Sequence, residues 1–143
     1  MDALNQIVLG LNKEEVRFFK LYAARTTATE PRKDLELFDM LRKEREHFDE
    51  DAACDRLYPD GNRNPYYRLK NRLKSDVCKA LMVQHYEDED VTHAVNLYNL
   101  ARHFITRDQF VLAEHFLKKA EKRALDLENL ELVDLIYTEF IRL

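Results

Sequence analysis

Residues able to do chemistry are plentiful in this chain, but few stand at a spacing that chemistry requires. His47, His85, His93, His103 and His115 are scattered, with no H-E-x-x-H and no Cys/His separation of the kind that holds zinc. Cys54 and Cys78 are the only cysteines and form no C-x-x-C pair, which fits reduced, packed thiols. Glu87–Asp90 gathers four carboxylates, a weak attraction for a divalent cation, without the alternating ligands and turn glycine of a calcium loop. Gly10 and Gly61 are the only glycines, too few for a phosphate-cradling loop. No catalytic residue, metal site or cofactor is expected, and an enzyme has no motif here to stand on.

The densest functional chemistry is cationic: Arg63, Arg68, Lys70, Arg72, Lys74 and Lys79. At the helical step, Arg68, Arg72 and Lys79 fall within about a 40° sector, opposite Leu69 and Leu73. Such a stripe suits phosphates, and Tyr66 and Tyr67 would stack on bases. Against this stand a net charge of −4 and acidic clusters at Asp49–Asp51 and Glu87–Asp90, and Tyr66 belongs to the apolar face. The stripe therefore reads mainly as a solvated face. A regulatory nucleic-acid-binding role for helix 63–79 is the alternative. Asn64-Pro65-Tyr66-Tyr67 also matches a docking motif for phosphotyrosine-binding domains, but in a folded domain it reads as the start of a helix.

The elements that must position these residues are helices. The 143 residues are 45% hydrophobic and 35% charged, with only 2 Gly and 3 Pro, so breaks are few and no strand period survives. A short apolar piece over 2–9 ends at Gly10. Asn12 and Glu15 form a reciprocal cap for a helix whose Val16, Phe19 and Ala23 share one face, widened by Phe18, Leu21 and Tyr22. Residues 26–31 read as a loop, with Pro31 opening a helix through Leu35, Phe38 and Leu41, flanked by Leu37 and Met40. Pairs four apart, Asp39 with Lys43 and Arg42 with Glu46, would lie on its outside. Asp49 caps a short helix over 50–57, and Tyr58–Asn62 is a turn. Asn64-Pro65 opens the longest helix, whose Tyr66, Leu69, Leu73, Val77 and Ala80 share one face up to Tyr86. Glu87–Asp90 then marks a boundary, giving a helical domain over 1–88 and a second region over 89–143.

That second region reads as helices over 91–106, 108–127 and 131–143. In Leu97–Leu125 the slots Leu97, Leu100-Ala101, Phe104, Ala113, Leu117, Ala120 and Leu125 keep the spacing of the tetratricopeptide pattern. Ala101, Ala113 and Ala120 permit close backbone approach, while Leu97, Phe104 and Leu117 fill the space around them. The stretch resembles one tetratricopeptide repeat, with Leu for Trp, Ala for Gly, Phe for Tyr, Leu for Phe and no closing Pro. Val133, Ile136, Tyr137 and Phe140 fit the first helix of a following repeat. The whole resembles the beginning of bacterial tetratricopeptide proteins of unassigned function.

The resemblance implies an all-α chain: a helical N-terminal bundle, then an antiparallel hairpin and one further helix that begin an α-solenoid. It also implies a non-catalytic scaffold that binds a peptide or partner helix. By position, the groove would be lined by Val95, Tyr98, Asn99, Arg102 and Ile105. Tyr98 and Arg102, four apart, would reach the same ligand, with Arg102 taking a carboxylate through two parallel hydrogen bonds. The apolar last helix implies a continuing chain or, through helix 130–143, a homo-oligomer. No run reaches membrane-spanning length and no signal-peptide layout opens the chain, so no membrane association and a cytoplasmic location are expected.

Overall fold

A computed structural model describes residues 2–26, 32–86 and 88–143, and all regular structure in them is helical. The readings at Thr27–Pro31 and Glu87 lie outside the described residues. The chain divides into two compact units, Met1–Gln84 and His85–Leu143, each with its own buried apolar cluster. No helix of the described residues is long and apolar enough to cross a membrane.

The first unit holds α1 (Ala3–Gly10), α2 (Lys13–Thr26), α3 (Lys33–Glu44), α4 (Glu50–Leu57) and α5 (Asn64–Gln84). The apolar opening piece is itself a helix, because the Asp2 carboxylate accepts from the Asn5 N–H at 3.0 Å and caps it. Asn12 and Glu15 make the reciprocal cap of α2, at 2.8 and 2.9 Å. Phe19 and Ala23 are buried, with Phe19 4.6 Å from the Phe38 ring, whereas Leu21 is 58% exposed. The apolar sector of α2 is thus narrower than its composition suggests, and Leu21 faces water. In α3, Leu37 sits at the centre of the core and Leu35 only at its edge.

The expected surface pairs of α3 do not form. Asp39 pairs with Lys20 at 3.0 Å, and Arg42 turns inward. Its guanidinium donates to the carbonyls of Val8 and Leu11 at 3.0 and 3.3 Å, closing the end of α1. Arg32 acts similarly on α2: it donates to the Ala23 carbonyl at 3.3 Å while gripping buried Asp34 with both edges, at 3.1 and 3.2 Å. Asp49 caps α4 by accepting from the N–H groups of Asp51 and Ala52. In the turn before α5, Gly61 has φ +80°, a conformation glycine adopts without Cβ strain. Asn64, expected as the cap, is itself the first helical residue, and its N–H donates to the Asn62 side chain at 3.1 Å. Tyr66, Leu69, Leu73, Val77 and Ala80 form the buried face of α5.

The second unit holds α6 (Asp90–Thr106), α7 (Phe110–Asp126) and α8 (Leu130–Arg142). Short connections fold them back on one another, and both connections have the same construction. Asp108 (φ +57°) and Glu128 (φ +55°) are left-handed residues just past a helix end. Around Asp108, the N–H of Gln109 reaches the Phe104 carbonyl at 2.9 Å and the N–H of Asp108 reaches Ile105 at 3.0 Å. Asn129 to Ala124 and Glu128 to Leu125 repeat this at 3.0 Å each. These are paired Schellman closures without the customary glycine. Asn129 then caps α8 by accepting from the Leu132 N–H.

Candidate functional site

The α6–α7 hairpin is packed through small residues. Ala94, Ala101, Ala113, Ala120 and Ala124 are all fully buried, as is Leu117, and the Phe104 and Phe116 rings stack at 5.6 Å. Leu97 is buried, and Leu100 and Phe104 lie half-buried at the rim. Ala94 and Ala124 belong to this contact although they fall outside the repeat pattern. Phe110, by contrast, is 47% exposed.

The five proposed groove residues divide by exposure. Asn99 and Arg102 are exposed, Val95 lies at the margin, Ile105 is half-buried and Tyr98 is buried. Tyr98 therefore offers a ligand little of its ring. The structure gives it an internal role, with the Arg102 guanidinium 5.7 Å from its ring centroid.

Arg102 is also one wall of a cavity of about 360 Å³ beside α6 and α8, lined by Asn99, His103, Ile105, Thr106, Glu139 and Arg142. Among the lining residues is Glu139, a carboxylate on the buried face of α8 and only 4% exposed. Arg142 Nη1 lies 3.2 Å from Glu139 Oε1, and Arg102 Nε lies 3.6 Å from the same atom. A buried carboxylate needs such neighbours, because an unpaired one would lose its hydration without return. Both guanidinium groups remain largely exposed, so two cations share one acid and keep donors turned outward.

The repeat slots expected on this helix were Val133, Ile136, Tyr137 and Phe140, and Glu139 and Arg142 were not among the expected site residues. In the structure Leu132, Val133, Ile136 and Glu139 are buried, while Leu130 is 72% exposed and Tyr137 lies outside. The available signal was an acid at position i+3 from Ile136 and i+7 from Leu132, on a face too apolar to leave it unpaired.

The basic helix is partly neutralised. Arg63 pairs with Asp51 at 2.6 Å, and the Asp51 carboxylate beside it raises its pKa. Lys70 is held between Asp2 and Glu50; burial opposes its charge, but the two carboxylates raise its pKa overall. Arg68, Arg72, Lys74 and Lys79 are exposed and make no ion pair among the described residues. Residues 64–67 form the first turn of α5, with Tyr66 fully buried and Tyr67 44% exposed.

Cys54 is buried and Cys78 half-buried, both as free thiols. Among the described residues no three His, Cys, Asp or Glu side chains group to hold a metal ion, and His85 contacts Asp88. No protein family, curated protein or solved structure matches the chain.

Proposed function

We propose that the unit His85–Leu143 is a non-catalytic, tetratricopeptide-like interaction module that holds a carboxylate-bearing peptide or partner helix along α6 and α8. The observation that carries this reading is the pair of exposed arginines, Arg102 and Arg142, sharing the buried carboxylate of Glu139 beside an open cavity. A guanidinium has five donors in a fixed fork, and Glu139 engages only part of each. Asn99 adds an amide at the same wall. Short connections, alanine-mediated packing of α6 on α7 and the placement of α8 against both support a repeat-like hairpin.

The test is selection of random peptides on the full chain, followed by binding measurements with Arg102→Glu/Arg142→Glu. Selected peptides should be enriched in Asp, Glu or a free terminal carboxylate, and the double variant should bind them at least about tenfold more weakly. Selection without acidic enrichment, or undiminished binding by the variant, rejects the reading. Tyr98→Ala is a poor probe, because that ring is buried and its loss would disturb packing.

A second reading, from a different class, rests on the four cations of α5 that make no ion pair among the described residues. Met1–Gln84 carries 16 Lys and Arg against 15 Asp and Glu, so the excess negative charge of the chain lies in the other unit. Nucleic-acid binding through Arg68, Arg72, Lys74 and Lys79 would weaken steeply with salt and fall on reversal of Arg68 and Arg72. Absence of binding to mixed DNA and RNA at low salt removes it.

A further inference from the structure

Within the second unit, His93 and Leu97 of α6 and Lys119, Lys122, Arg123 and Asp126 of α7 line a cavity of about 530 Å³. The α7 residues stand at i, i+3, i+4 and i+7, so two turns of one helix face present three cations to one space. His85–Leu143 has only 7 Lys and Arg against 12 Asp and Glu, and three of those seven converge here.

Internal neutralisation is incomplete. Arg123 reaches Asp90 at a long 3.7 Å, and Lys119 lies 5.8 Å from the Phe116 ring centroid. Neither Lys119 nor Lys122 makes an ion pair among the described residues. The negative end of the α7 dipole accounts for Arg123 in the last turn, but such fields fade within one turn and do not reach Lys119.

We propose that this cavity binds a small organic phosphate, with the phosphate held by Lys119, Lys122 and Arg123 over Leu97. A dianionic phosphate offers three terminal oxygens to three separate donors, which a single carboxylate does not. Asp126 repels a second anion and accepts hydrogen bonds from hydroxyls, so the body of the ligand is neutral and hydroxylated. The volume suits a sugar phosphate better than a nucleotide pair or a polymer.

The experiment is a two-dimensional amide NMR titration of the full chain at low salt with glucose 6-phosphate, inorganic phosphate and glucose. Both phosphates should shift the Leu97, Lys122 and Arg123 signals saturably, glucose 6-phosphate more tightly, while glucose does nothing. Lys119→Gln/Lys122→Gln, at exposed positions, should keep its helicity and weaken both phosphates at least about tenfold. The proposal fails if neither phosphate saturates these signals by about 10 mM. It fails equally if the double variant binds as well as the parent or if glucose binds as tightly as its phosphate. Because Arg102 and Arg142 take no part, the outcome is separate from that of the peptide test.

Discussion

Asp34 shows what a single buried charge contributes. Burial raises its pKa, but the Arg32 fork and the Leu35 N–H outweigh this and hold the carboxyl below its ordinary 3.8. A depressed folded-state pKa adds stability at pH values above the unfolded value, and that contribution disappears as pH falls through the folded one. Urea unfolding followed downward from neutral pH should therefore lose stability as pH drops below about 4. Asp34→Asn should flatten that acid limb, and a variant with an unchanged limb would show that Asp34 does not drive it. Asp2 shifts in the same direction: burial opposes the shift, and Lys70 and the Asn5 N–H overcome it. None of these partners was legible in the sequence beyond the caps. Asn12 with Glu15 and Asp49 with its following N–H groups are local, within three residues, and could be read directly. Arg42 to Val8 and Lys70 to Asp2 span 34 and 68 residues, and only the folded chain brings them together.

At the scale of elements, the helix junctions and the alanine face carry the predictions. Glu128 at φ +55° sits where glycine would be unstrained, and Asp108 at +57° has a side chain better suited to that region. Glu128→Gly should stabilise the chain by about 0.5–1 kcal/mol, with a smaller gain for Asp108→Gly. Thermal melts of the two variants order them, and a loss with Glu128→Gly would refute the strain argument. Ala120, with no exposure, sets the approach of α7. Ala120→Leu should cost about 1–3 kcal/mol, measured by denaturant unfolding, because the facing helix leaves no room for three more carbons. A neutral substitution would mean the hairpin is looser than it looks. The repeat spacing did point to Ala101, Ala113, Ala120 and Leu117, since smallness at fixed intervals is a local signal. The phase of the flanking residues was less legible. Adjacent apolar residues lie only 100° apart, so Leu21 looked as suitable for burial as its neighbour Tyr22, which packs against the core.

For the molecule as a whole, the two apolar clusters share no residue. Leu73→Ala should cost about 2–5 kcal/mol and lower hydrogen-exchange protection through Met1–Gln84. Amides of α6–α8 should keep theirs, and uniform loss across both units would show that they open together. Charge is as unequal as packing: the first unit is nearly neutral and the second acidic, although the whole chain reports only its sum. By itself the sequence determined the helices and most of their ends, because periodicity, caps and turn residues act over a few neighbours. Which apolar residue faces inward, which arginine closes a distant helix end, and that Glu139 draws Arg102 and Arg142 together were decided only by tertiary structure. Those outcomes depend on the azimuth and distance of a neighbouring helix, and no local pattern in a single chain encodes either.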